Sequence, residues 1–343
     1  MQTLAVKYRP KTWDDVTEQE EIKIILRQQL ETGTVKNAYL FCGGAGTGKT
    51  TCARIFANEI NKGQGNPIEM DAASNSGVED VRGISAQAKS RSLDSEYKIF
   101  IIDECHAISN TGWQAFLKLI EEPPAKSIFI FCTTDPQKIP KTILSRVQRY
   151  DFKRISQQGI VNRLDMILNE ERDEDDAHDM NAIEYIAKVA DGGMRDAISL
   201  MDKCLSFNKD LTLKNVIRAL GTVDYQTMLD LTDAVITEDA AQMIKIVEDV
   251  HISGKDIKQF VNQYMQFMLD VLKNVKGCDF KYLQIPKLEE YEEWLDSLED
   301  ENVDRCYKIM ETVLRTNAAI KFSQSPKYDF EAALMMLCVE ALE

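Results

Sequence analysis

The chain has 343 residues, 44% of them hydrophobic and 28% charged, and a formal net charge of −15. That length exceeds one ordinary core, so two or three domains are expected. No apolar run approaches the roughly 18 residues of a membrane span and the start MQTLAVKYRP lacks an apolar leader, which argues against membrane and secreted classes and predicts a cytoplasmic protein.

In chain order, EIKIILRQQLETG reads as a helix closed by Gly33, and Tyr39–Cys42 as a short buried strand. The run Gly43, Gly44, Ala45, Gly46, Thr47, Gly48, Lys49, Thr50 then fits G-x-x-x-x-G-K-[ST], with Thr51 next to it. A glycine-rich turn of this kind lets successive backbone N–H groups converge on phosphates. Lys49 adds a charge, the Thr50 hydroxyl can hold Mg²⁺, and the helix TTCARIFANEI aims its positive end at the same anion. Further strands are predicted at Ile68–Asp71, Ile99–Ile102, Ile128–Cys132 and Arg149–Phe152. Between them lies the helix TGWQAFLKLIEEPP, stopped by Pro123 and Pro124. This alternation indicates an α/β domain with a mainly parallel sheet up to residue 155.

From Ser156 strand signals give way to helical periodicity in QGIVNRLDMILNEE, NAIEYIAKVA, MRDAISLMDKCLSF and LKNVIRAL, with the acidic stretch ERDEDDAHD read as a loop. A second break is predicted at GTVDY, near Gly221. Beyond it Ile257, Phe260, Val261, Tyr264, Met265, Met268, Val271 and Leu272 form a stripe spaced for the packed face of a helix bundle. Charge divides along the same line. Residues 1–155 hold 21 Lys and Arg against 19 Asp and Glu, a balance of +2, which leaves −17 for the back half. Direct nucleic-acid binding is therefore disfavoured behind residue 155 and open in front of it. The eight cysteines are widely spaced without a C-x-x-C pair and read as buried thiols, not disulfides or zinc ligands.

Several side chains gather around the glycine-rich loop. The strand IFIID carries Asp103 and Glu104 to the carboxyl edge of a parallel sheet, where Asp103 would join the Mg²⁺ shell and Glu104 would orient the attacking water. The next strand ends in Thr133 and Thr134, neutral donors for a γ-phosphate or a water. Arg146, in TILSRVQRY, is placed to reach a neighbouring subunit's site as an arginine finger. Arg195, in DGGMRDA, sits in the first turn of a helix, where the macrodipole disfavours a cation unless an anion binds there.

The ordered set VKYRPKTWDDV, GGAGTGKTT, MDAASNSGVEDVR, IFIIDECHAIS, LKLIEEPP, CTTDPQKIPKTILSRVQRYDFKRIS and GGMRDAISLMD resembles the gamma/tau subunits of the bacterial DNA polymerase III clamp loader, over residues 4 to 220. The resemblance implies a RecA-like AAA+ domain (1–155), an all-α lid (156–220) and an all-α collar (221–343). It implies ATP with Mg²⁺ at subunit interfaces of a pentameric ring with delta and delta-prime partners. It also implies a sliding clamp and primer–template DNA as the things acted on, with no membrane. By position, Lys49 and Thr50 would bind phosphate and Mg²⁺, Asp103 and Glu104 would be the strand-end acids, and Thr134 the sensor hydroxyl. Arg146 would be the finger in trans and Arg195 the lid arginine. Tyr8, Arg9 and Pro10 with Val16 would form the adenine pocket. Arg82, Lys89, Ser90 and Arg91 are the candidate DNA contacts, through phosphates alone.

Departures from the family pattern matter too. Its four-cysteine zinc module is replaced by NKGQGNP, so no zinc is expected. Ser-Arg-Cys reads Ser145-Arg146-Val147, and the stop at Glu343 is read as lacking the longer form's extension. Two other classes fit the sequence less well: a scaffold that holds ATP without turnover, opposed by Lys49, Asp103, Glu104 and Arg146 together, and another AAA+ DNA motor, opposed by DAASN and the Ser145-Arg146 pair.

Overall fold

The computed structural model describes residues 2–75, 77–90, 92, 94–171, 178–220, 225–279, 282–286 and 288–339. The chain forms two compact units, Met1–Arg172 with Ala190–Asp202, and Asp173–Val189 with Lys203–Glu343.

The first unit is built on the strands β1 (Ala38–Cys42), β2 (Ile68–Asp71), β3 (Lys98–Asp103), β4 (Ser127–Thr133) and β5 (Gln148–Asp151). All pair in parallel, in the order β2-β3-β4-β1-β5. Each strand expected from an apolar run is present with its ends moved by no more than a residue. Phe152 leaves the ladder, but its N–H still donates to the Cys42 carbonyl at 2.7 Å. Every residue of β1 and β4 is buried, as for central parallel strands covered on both faces. The edge strands β2 and β5 are four residues each and expose charges, Glu69 and Asp71 on one, Arg149 and Asp151 on the other.

Alternation along the strands feeds two cores. Tyr39, Phe41, Ile101 and Ile130 meet Ile55 and Phe56 of the helix Lys49–Ile60, while Leu40, Phe100, Phe129 and Phe131 meet Trp113 and Phe116 of the helix Asn110–Glu121. The Phe116 ring stands edge-on to Phe131 at 5.2 Å. Local rules fix the helix ends. Gly33, at φ 67°, closes the helix Glu20–Thr32 by donating to carbonyls of its last turn, and the Ser109 side chain caps Asn110–Glu121 by accepting the Gly112 N–H. The helix Gln157–Glu171 also belongs to this unit, and the helix Met194–Phe207 begins in it.

The second unit is helical. Its core surrounds the helix Ile257–Val275, whose Phe260, Tyr264 and Phe267 stack along one face. Ile257, Phe260, Val261, Tyr264, Met268, Val271 and Leu272 are buried as expected, whereas Met265 is half-buried and Phe267 takes a place in the stripe. Phe267 lies three residues after Tyr264, so the same helical spacing accounts for it. Asp270 is 1% exposed yet satisfied: its Oδ2 accepts the N–H groups of Gln284 at 2.5 Å and Ile285 at 2.8 Å. Most of the acidic stretch (172–177) and the break at 221–224 lie outside the described residues. Among the described residues no helix is long and apolar enough to cross a membrane.

Six cysteines are buried, Cys42, Cys52, Cys105, Cys132, Cys204 and Cys306. The expectation of eight buried thiols is corrected at two positions: Cys278 is exposed and Cys338 half-buried. Cys278 follows Gly277, at φ 75°, in a turn past the end of the helical stripe. Burial pushes the Cys42 thiol up to about 11 and Cys52 up to about 12, suppressing the thiolate. Maleimide applied to the folded chain should therefore modify Cys278 first and the six buried thiols only with unfolding. Equally rapid labelling of Cys132, read by peptide mass spectrometry, would contradict that burial.

Candidate nucleotide site

The chain reversal after β1 is made by backbone that few residues but glycine adopt. Gly46 has φ 69°, and a Cβ placed there would lie 2.9 Å from the Gly193 Cα. The Met194 N–H donates to the Gly46 carbonyl at 3.0 Å, so the start of the helix Met194–Phe207 is fastened to the loop. Gly46→Ala should lower stability by about 1–3 kcal/mol through the left-handed backbone and this contact. A denaturant midpoint equal to that of the parent would show that the loop is not held as described.

Lys49 opens the helix Lys49–Ile60, and its Nζ donates to the carbonyls of Gly43 at 2.9 Å and Gly44 at 2.7 Å. The side chain curls back over the loop, and burial holds its pKa below the usual lysine value, opposed in part by Glu104 and Asp103. Thr50 Oγ1 donates to Asp103 Oδ2 at 2.8 Å, which joins the loop to the end of β3. A hydroxyl and a carboxylate meeting here are an oxygen pair suited to Mg²⁺.

Glu104 follows Asp103 in a left-handed conformation, φ 46° and ψ 42°, rare for a residue with a side chain. Its Oε2 accepts from Thr134 Oγ1 at 2.9 Å and faces His106 Nδ1 at 3.1 Å. His106 Nδ1 also lies 3.2 Å from Thr133 Oγ1. The ends of β3 and β4 thus form one polar cluster at the carboxyl edge of the sheet.

A cavity of about 250 Å³ collects most of the residues expected from the sequence. It is lined by Tyr8, Arg9, Pro10 and Val16, by the loop from Ala45 through Gly46, Thr47, Gly48, Lys49 and Thr50 to Thr51, and by Asp103, Glu104 and Arg195. Gly43 and Gly44 reach it through the Lys49 ammonium they bind. Arg9 is held below the ordinary arginine value by burial first, then by the nearby cations Arg54 and Arg195, so positive charge converges on the cavity. Such a concentration of cations and loop N–H groups suits a polyanion.

The other expected residues lie elsewhere. Arg146 is on the surface, outside the lining of this cavity, with Nη2 2.8 Å from Glu121 Oε1. Arg82 is exposed and paired with Glu79 at 2.6 Å; Lys89 and Ser90 are exposed at the end of the helix Val78–Lys89 and just beyond it. Ser90 Oγ accepts from Lys98 Nζ at 2.8 Å, and Arg91 lies outside the described residues.

Sequence reasoning missed three participants. His106 carries a signal, a histidine three residues after the strand-end Asp103, whereas Arg163, whose Nη2 donates to the Tyr8 carbonyl at 3.0 Å, sits in an ordinary amphipathic helix. Glu171 accepts from the Tyr8 hydroxyl at 2.5 Å, and burial with this partner raises the Tyr8 pKa. Among the described residues no three His, Cys, Asp or Glu side chains are grouped to hold a metal ion by themselves.

Three family models match in succession: "DNA polymerase III, delta subunit" over residues 66–156, "DNA polymerase III clamp loader subunit, ATPase lid domain" over 159–210, and "DNA polymerase III subunits gamma and tau domain III" over 211–342. The chain is 33% identical to DNA polymerase III subunit tau of Bacillus subtilis, over 98% of this chain and 63% of that protein. It is 34% identical to the tau subunit of Escherichia coli, over 74% of this chain and 42% of that one. With the gamma subunit of Buchnera aphidicola the match is 28%, over 97% and 98% of the two chains. The chain thus spans less than two thirds of the tau relatives. Among solved structures, the RuvB Holliday junction branch migration motor of Thermotoga maritima superposes with a TM-score of 0.52 at 20% identity, over 67% of this chain and 79% of that one. That likeness shows the fold.

Proposed function

Because the chain belongs to the gamma and tau family of DNA polymerase III clamp-loader subunits, we propose that it binds and hydrolyses ATP to open a sliding clamp and place it on primer–template DNA. The observation that carries this reading is the junction of Thr50, Asp103, Glu104 and Lys49 at one cavity in an AAA+ fold.

Each residue's part follows from its place. The loop N–H groups and Lys49 bind the phosphates; the ammonium is already partly desolvated, so its attraction to an anion is less screened than it would be in water. Thr50 and Asp103 would hold Mg²⁺, which when bound neutralises charge building on the phosphates. Glu104 orients and polarises the attacking water, and Thr134 holds that carboxylate in place. Tyr8, Arg9, Pro10 and Val16 enclose the base, Arg195 contacts the γ-phosphate, and Arg146 extends to the next subunit's nucleotide.

The wider reading comprises delta and delta-prime type partners in a pentameric ring, with DNA phosphates contacted from Arg82, Lys89, Ser90 and Arg91. The division into 1–155, 156–220 and 221–343 belongs to it, supported by family models that change at 159 and 211. Steady-state ATP hydrolysis, measured with loader partners and with or without clamp and primed DNA, tests the whole. Stimulation requiring both clamp and primed DNA is expected. Turnover indifferent to the clamp would remove the loader reading, and tight ATP binding without turnover would favour a scaffold.

A further inference from the structure

The IEEPP segment has no part in the site described so far, yet its first carboxylate is fixed with care. Glu121 is the last residue of the helix Asn110–Glu121, and the Glu122 N–H closes that helix on the Lys118 carbonyl. Pro123 and Pro124 stop it there, so the backbone that carries Glu121 has little freedom. A carboxylate at a helix C-terminus opposes the macrodipole, and a surface ion pair adds little to folding. The position therefore breaks a local rule without a stability gain to explain it.

What Glu121 does touch is the guanidinium of Arg146, Oε1 to Nη2 at 2.8 Å. Arg146 Nη1 meanwhile donates to the Thr142 carbonyl at 2.8 Å and to Ser145 Oγ at 3.1 Å. Three contacts from one chain hold a side chain that otherwise samples many rotamers. Among the described residues these contacts leave the Nε–H and the second Nη2–H for another acceptor. That remaining pair suits two oxygens of one phosphate group.

We propose that Glu121 is a positioning residue for Arg146, holding the guanidinium in the orientation from which it reaches a phosphate bound by the neighbouring subunit. This rests on the reading of Arg146 as a finger in trans. Glu121 itself touches no nucleotide. Its effect is to reduce the rotamer freedom that Arg146 would lose on engaging the phosphate, so it acts on turnover and leaves ATP affinity alone.

A double-mutant cycle on the assembled loader complex tests this, with kcat and KM for ATP measured for Glu121→Ala, Glu121→Gln, Arg146→Ala and the Glu121→Ala/Arg146→Ala pair. Glu121→Ala should lower kcat about three- to tenfold with KM unchanged. Glu121→Gln, which keeps an acceptor, should recover part of that, and Glu121→Ala should cost nothing more once Arg146 is alanine. Unchanged melting of both Glu121 variants would exclude a folding defect as the cause. Wild-type kcat in Glu121→Ala beside an impaired Arg146→Ala overturns the proposal and leaves the finger standing. A full Glu121→Ala loss in the Arg146→Ala background also overturns it, because Glu121 would then act elsewhere. Undiminished turnover in Arg146→Ala removes the finger reading and this proposal with it.

Discussion

Replacing Glu104 by Gln should leave ATP binding intact and slow hydrolysis by about two to three orders of magnitude. The amide keeps the shape of the side chain and can still accept from Thr134, whose hydroxyl lies 2.9 Å from Glu104 Oε2. The left-handed backbone at φ 46° is also undisturbed. What disappears is the negative charge proposed to polarise water. Equilibrium binding of a fluorescent ATP analogue, set beside single-turnover hydrolysis, separates the two effects. Wild-type turnover in Glu104→Gln would withdraw the role given to this carboxylate.

An effect of similar or greater size is expected from Arg146→Ala, about a thousandfold or more at the site it is proposed to complete. Arg146 is exposed and stands apart from its own chain's nucleotide cavity, so the loss should fall on the neighbouring subunit. Mixed complexes make this visible. Combining Arg146→Ala subunits with Lys49→Ala subunits should restore hydrolysis only where an intact finger faces an intact loop. Activity that tracks the fraction of intact Lys49 alone, whatever stands beside it, would show that Arg146 does not act in trans.

Much of this arrangement was legible in the sequence because it is local. A glycine-rich loop between a buried strand and a helix dictates its own geometry, and a parallel strand ending in Asp103-Glu104 must present both acids at the carboxyl edge. The strands themselves were readable from runs such as Ile99–Ile102, where burial on both faces leaves no polar alternation. Contacts between distant segments were not readable. The Tyr8 hydroxyl finds Glu171 across 163 residues and Arg163 finds the Tyr8 carbonyl across 155, pairings set by how a helix packs and not by spacing. The pairing of Glu121 with Arg146 was equally hidden, since nothing near Glu121 in sequence names Arg146 as its partner. The Cys278 thiol was misread because composition alone does not say which side of a helix end a residue falls on.

The charged, four-residue borders β2 and β5 of the sheet also bear on what this protein avoids. An uncapped strand is a template for any passing chain, and the hazard grows with local protein concentration. Glu69 with Asp71, and Arg149 with Asp151, would have to shed water to accept another strand. Edge-to-edge growth into fibrils is thereby discouraged, and the helices and loops are left as the surfaces through which this chain can meet another protein.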